Sequence, residues 1–207
     1  MSLPKPIKNL ADSLAQFPGI GPRQALRLTF WLLHQKKEVQ TELLKNFNDL
    51  FSKIKLCPEC SFPFEIKNNE TLCEFCRDKR RNHNIICVVE KETDVLSLEK
   101  TNKYNGLYHI LGGLISEIDK ETIKNLNLTT LISRIKNKSK TNQPIREVIL
   151  ALNPTSEGNL TSYYLEKEIK NLNLQIRITK LARGIPTGGD IEFADSETLI
   201  SALEGRK

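Results

Sequence analysis

No apolar run in this chain comes near the roughly 18 residues that a membrane-spanning helix needs, so no membrane partner is expected. The opening residues, Met1 to Lys8, lack the apolar core of a signal peptide, and the expected location is cytoplasmic. Repeats and low-complexity tracts are also missing. The Gly-x-x-x-x-Gly-Lys-Ser/Thr spacing of a phosphate-binding loop is absent, so an ATPase is not supported. What is present is ordinary for a folded protein: 207 residues, 39% hydrophobic and 27% charged. That is slightly more polar than average, too apolar for disorder, and long enough for one sizeable core or a few small modules.

The net charge of +6 is unevenly placed. Residues 1–56 carry nine Lys or Arg against four acids, so almost the whole excess falls in the first quarter. Charge confined to one segment reads as a face for a polyanion; a solvated helical surface rich in Lys explains it equally well.

Four of the five cysteines stand as Cys57-x-x-Cys60 and Cys73-x-x-Cys76, separated by twelve residues. In a reducing compartment a disulfide framework is disfavoured. Two residues between thiolates let one turn aim both sulfurs at one ion, and two such turns complete a tetrahedral shell, so the expected cofactor is structural Zn²⁺. With all four positions taken by protein, no catalysis by that zinc is expected. A redox pair is the competing reading. Cys87, inside Ile85-Ile86-Cys87-Val88-Val89, reads as a small core residue.

Along the chain, residues from Ile7 to Ile54 read as helices and Pro58 to Phe75 as a knuckle and hairpin, before the basic run Arg77 to Arg81. Strands are expected at Ile85–Glu90, Gly106–Leu111, Glu147–Leu152 and Gln175–Thr179. Helices are expected near Asp94–Thr101, Lys120–Lys136 and Leu160–Leu172, with a closing helix near Ser196–Leu203. That alternation implies crossovers and a mainly parallel sheet. The expected fold is an α/β multi-module chain. Its parts are a DNA-binding helical hairpin (1–56), a four-cysteine zinc finger (57–84), a parallel α/β sheet domain (85–180) and a Gly-rich tail with a closing helix (181–207).

Three motifs carry chemistry. Phe17-Pro18-Gly19-Ile20-Gly21-Pro22-Arg23 resembles a helix-hairpin-helix turn. Gly19 and Gly21 let the chain bend, the helix after Pro22 opens with a positive dipole end, and Arg23 and Arg27 share the adjoining face, which suits a DNA phosphate without base reading. A packing turn between helices is the alternative. Val88-Val89-Glu90-Lys91-Glu92-Thr93-Asp94 resembles the first acidic motif of a Toprim domain, with Glu90 at a strand's carboxyl end, where open α/β sheets bind ligands. Asn153 and Thr155 stand where a second motif would supply two aspartates, so any magnesium site is incomplete and weak. Glu90 and Asp94 equally suit a helix cap or a partner contact. The third motif, Ala182 to Asp190, reads as an interaction loop. His109, in an apolar strand, reads as structural; His83 is a candidate substitute ligand to the cysteines.

Taken in order, these parts resemble the RecR family of bacterial recombination proteins across essentially the whole chain. The likeness includes Tyr108-His109-Ile110-Leu111-Gly112-Gly113, Asn153-Pro154-Thr155-x-Glu157-Gly158 and Gly188-Gly189-Asp190-Ile191-Glu192-Phe193-Ala194-Asp195. The resemblance implies a non-enzymatic ring clamp, a homotetramer that acts with RecO and RecF to help load the RecA recombinase on gapped DNA. It also implies that Gly19, Gly21, Arg23 and Arg27 contact DNA, and that Glu90, Asp94 and Glu157 belong to a Toprim acidic face meeting partners or a weak Mg²⁺. Two departures stand out: Asn159-Leu160 replaces the family's glutamate and alanine, and Glu117 to Lys120 lacks a glycine-proline loop. The alternative is a Mg-dependent Toprim enzyme, either a nuclease or a topoisomerase-like protein, which would need a complete carboxylate cluster.

Overall fold

The computed structural model describes residues 3–67, 70–117, 123–124 and 126–206. The chain divides into two compact units, Met1–Ile54 and Lys55–Lys207. No helix among the described residues is long and apolar enough to cross a membrane.

The first unit is helical. α1 (Lys5–Leu14) and α2 (Pro22–Leu33) pack against each other, burying Ala11 on one and Ala25 and Thr29 on the other. Small residues at the crossing allow the backbones to approach, and Thr29 satisfies its buried hydroxyl by donating to the Ala25 carbonyl at 2.9 Å. α3 (Lys37–Lys53) follows and buries none of its residues.

In the second unit a two-stranded ribbon, β1 (Ile54–Leu56) and β2 (Pro63–Glu65), flanks the first cysteine pair, and α4 (Glu74–Arg77) carries the second. The main sheet has β3 (Asn82–Val89), β4 (Gly106–Ile110), β5 (Glu147–Ala151) and β6 (Arg177–Lys180), ordered β4-β3-β5-β6 and parallel throughout. Its crossovers run through α5 (Glu92–Glu99), α6 (Leu128–Ser139) and α7 (Ser156–Lys170), and α8 (Ser196–Glu204) closes the chain. Ile86, Val88, Val148 and Leu150 on one face pack with Leu131 and Ile135 of α6 and Leu165 and Ile169 of α7. The other face, with Cys87, Val89, Tyr108 and Ile110, packs on the four cysteines and Phe75. The cysteine segment therefore covers one side of the sheet and shares its core.

The expected strands and crossover helices are present with shifted ends. β3 starts three residues early, because Asn82 donates to the Asn105 carbonyl and joins the ladder. α7 starts at Ser156 rather than Leu160 because the Thr155 hydroxyl accepts from the Gly158 amide and caps it. The helix expected at Lys120–Lys136 is found as Leu128–Ser139; residues 120–122 and 125 lie outside the described residues. The basic run is not a uniform solvated stripe. Arg81 lies over the rings of Phe75 and Tyr108, donates to the Gly106 carbonyl at 3.0 Å and pairs with Glu99, while Arg77 pairs with Glu70 and Arg80 with Asp78.

Candidate nucleic-acid interface, cysteine cluster and acidic sheet edge

Between α1 and α2 the Ile20 amide donates to the Phe17 carbonyl at 3.0 Å, closing a four-residue turn with Pro18 and Gly19 at its centre. Gly19 has φ +79°, the left-handed value that the third position of a type II turn requires, and proline is favoured just before it. Gly21 differs. It is an extended residue (φ −78°) capping α2, and a Cβ there would meet no atom within 4 Å. Among the described residues nothing demands a glycine at that point, so its missing side chain keeps the outer surface of the turn open. Pro22 occupies the first turn of α2, and the Arg23 and Gln24 amides that follow have no acceptor within the helix. Arg23 and Arg27 are both exposed, one helical turn apart. The result is a bare positive corner: open backbone, free amides at a helix start, and two guanidinium groups.

Cys57, Cys60, Cys73 and Cys76 are all buried, and their sulfurs lie within 4.8 Å of one another. Tetrahedral zinc with Zn–S bonds of about 2.3 Å separates its sulfurs by about 3.8 Å, which falls inside that spread. The Cys57 amide accepts the turn geometry by donating to the Phe62 carbonyl, and the Ser61 amide returns to Cys57, so the knuckle's backbone is satisfied internally. The contact with Cys60 pulls the Cys57 thiol far below its ordinary value, and the same contact with Cys57 pushes the Cys60 thiol up. Four thiolates this close repel one another, so all four ionise together only around a cation. His83 turns away from the expected role: its Nε2 lies 2.9 Å from the Asp78 carbonyl, and it is not part of the cluster. Cys87 is buried in β3, and burial raises its thiol to about 12.

The sequence reading missed Arg134 and Glu59 beside this cluster, while His109 is structural as expected. Arg134 on α6 is buried and donates to Cys76 Sγ, and Glu59 sits beside it. His109 is enclosed with Nε2 2.9 Å from the Asn127 carbonyl and Nδ1 3.3 Å from the Glu59 carbonyl. Burial lowers it to about 4, so it is a neutral ring at physiological pH. The available signal was Arg134 itself, a charge on the apolar face set by Leu128, Leu131 and Ile135.

The acidic motif lies at the sheet's switch point. β3 connects to β4 on one side and neighbours β5 on the other, so a crevice opens beyond the carboxyl ends of β3 and β5. Glu90 follows β3, Asn153 follows β5, and the Asn153 amide donates across the crevice to Glu90 Oε2 at 3.0 Å. Asp94 accepts from the Lys91 amide at 3.1 Å and caps α5. Glu157 stands in the first turn of α7, where its charge favours the helix dipole. Gly158 is packed so close to the Asn153 carbonyl that a Cβ would sit at 1.9 Å from it, which holds the Asn153–Gly158 turn tight. Among the described residues, Glu90, Asp94 and Glu157 do not form a metal-sized group. A cleft of about 550 Å³ adjoins this edge, lined by Asp94, Asn153, Lys180, Arg183, Asp195 and Thr198 among others. Arg183 donates to Asn159 Oδ1 at 2.6 Å, so that asparagine's side-chain oxygen is satisfied.

Comparison with known proteins adds an independent line. Residues 7–49 match the family model described as RecR, helix-hairpin-helix, residues 84–182 that of the Toprim domain, and residues 184–207 that of RecR, C-terminal. The chain is 42% identical over 202 residues to the recombination protein RecR of Chloroflexus aggregans, covering 98% of this chain and 93% of that one. It is 42% identical over 201 residues to that of Chloroherpeton thalassium, covering 97% and 95%. With that of Staphylococcus saprophyticus it shares 39% over 206 residues, covering 100% and 98%.

Proposed function

The chain belongs to the RecR family of recombination proteins, and from that membership we propose that it is a non-catalytic DNA-binding mediator of recombinational repair. In this reading it is a cytoplasmic protein that encircles duplex or gapped DNA as a ring homotetramer and acts with RecO and RecF to help load RecA. Gly19, Gly21, Arg23 and Arg27 meet the phosphate backbone, the four cysteines hold a structural zinc, and the face bearing Glu90, Asp94 and Glu157 receives protein partners.

The observation that carries the reading is the bare positive corner at Gly19–Arg27. Amides at a helix start and exposed arginines bind phosphates without reading bases, as a sliding or encircling protein requires. Self-association is supported by α3, whose Leu44, Leu50 and Phe51 are exposed on a helix with no buried residue. The direct hydrogen bond from Asn153 to Glu90 supports a sheet edge that needs no cation.

The test is fluorescence anisotropy with labelled duplex and gapped DNA. Arg23→Glu combined with Arg27→Glu is expected to weaken binding at least tenfold while zinc content and melting temperature stay unchanged; unchanged binding removes the hairpin from the mechanism. The same DNA incubated with magnesium is expected to stay intact. Cleavage that disappears in Glu90→Gln would favour the Toprim-enzyme reading instead.

A further inference from the structure

We propose that Arg134 is a positioning residue of the cysteine cluster, a buried cation that neutralises and orients the metal-bound thiolates from the far side of the sheet domain. The inference rests on the zinc assignment above and concerns a residue outside all four ligands.

The side chain of Arg134 is only 3% exposed. Its guanidinium serves three separate segments at once. Nη1 donates to the Tyr108 carbonyl on β4 at 2.7 Å, Nη2 donates to Cys76 Sγ at 3.3 Å, and Nε lies 3.0 Å from Glu59 Oε2. The Nε contact lacks hydrogen-bond alignment, so Glu59 acts there as a charge rather than as an acceptor. Glu59 is also 42% exposed and keeps much of its own hydration.

A guanidinium withdrawn this far from water needs nearby negative charge, because desolvation is costly unless an ion is paired and hydrogen-bonded. One half-solvated, misaligned carboxylate is a poor match for that need. Four thiolates around one Zn²⁺ carry a net charge of −2, and that charge lies against Nη2. The two needs answer each other: the arginine removes part of the excess charge, and its N–H draws electron density from the Cys76 sulfur.

The planar fork explains the residue type. Two nitrogens of one rigid plane reach two acceptors in fixed directions while the third faces a carboxylate, which a lysine ammonium on a flexible stem cannot reproduce. Because Arg134 is anchored on α6 between Leu131 and Ile135, the cluster's outer partner comes from the core of the sheet domain, and zinc binding is tied to how that helix packs.

The experiment uses the full chain. Zinc per chain is measured first; if the parent protein holds no metal, the zinc assignment fails, independently of Arg134. In zinc-loaded protein, Arg134→Met keeps an unbranched apolar stem and removes the guanidinium with its charge and donors. Zinc release to a chelator is expected to be about 10- to 100-fold faster, the usual cost of losing an outer-sphere partner. In cobalt-substituted protein the sulfur-to-metal charge-transfer band is expected to move to lower energy, since a thiolate without its hydrogen bond gives up electrons more readily. The melting-temperature gap between zinc-loaded and zinc-free protein is expected to narrow. Arg134→Lys is expected to release zinc at an intermediate rate; it carries the release test alone if the Met variant does not fold. Release rates equal to the parent's, or equal melting losses with and without zinc, would overturn the proposal and leave Arg134 as a packing residue.

Discussion

The hydrogen bond between Asn153 and Glu90 can be turned into its opposite by one atom's exchange. Asn153→Asp replaces an amide donor, 3.0 Å from a carboxylate, with a second carboxylate at the same place. Two unit charges about 4 Å apart repel by about 1 kcal/mol in a water-like medium and by about 4 kcal/mol in a protein-like one. Asn153 is exposed and Glu90 half-buried, so the lower end applies after screening. The lost hydrogen bond, discounted because it is exposed to solvent, adds about 1 kcal/mol, making a total of about 2 kcal/mol. For a chain of this size that corresponds to about 4–8 °C in melting temperature. The assay is thermal unfolding of zinc-loaded parent and variant, each with and without millimolar magnesium. The variant is expected to melt lower without magnesium and to recover with it, because two facing carboxylates now supply hard oxygen ligands. The parent is expected to respond to neither. A variant as stable as the parent in the absence of divalent cation would refute the reasoning, for it would mean that the Asn153–Glu90 bridge contributes nothing.

Two further outcomes are expected. Burial pushes the Cys87 thiol to about 12, so an alkylating reagent should leave it unmodified in the folded protein and label it only in denaturant; a native adduct mapped to Cys87 by mass would contradict its burial. Burial lowers His109 from 6.5 to about 4, so the unfolded chain binds the extra proton first between those values. The neutral ring's contribution is fully present above about pH 6.5 and is lost as pH falls toward 4, at a cost of about 3 kcal/mol. The direct readout is the His109 ring resonance by NMR, which should titrate near pH 4; a midpoint near 6.5 would show that the ring is solvated.

Much of this molecule is legible in its residues because the informative patterns are local. The Pro18-Gly19 pair specifies a turn, the spacing of Cys57, Cys60, Cys73 and Cys76 specifies a cluster, and the β-branched run at Ile85–Val89 specifies an interior strand. Where the reading slipped, the deciding contact was distant or hidden in a side chain's choice of partner. β3 was extended by Asn82 meeting Asn105, and α7 by a Thr155 cap that looked like a missing metal ligand. Arg81 and Arg77 were counted in a basic run, although their charges are answered by Glu99 and Glu70. Arg134 could not be matched to Cys76, because 58 residues separate them and only the packing of α6 on the sheet brings them together.

The most direct test of the DNA-binding claim is the salt dependence of that binding. Each phosphate neutralised on a duplex contributes about 0.9 to the slope of log K against log salt. In Arg23→Ala combined with Arg27→Ala, the slope is expected to become shallower by about 2 for every protomer that touches DNA. Weakening should be the same for unrelated DNA sequences. A slope and affinity indistinguishable from the parent's would contradict the account, since the phosphate contacts would then lie elsewhere on the chain.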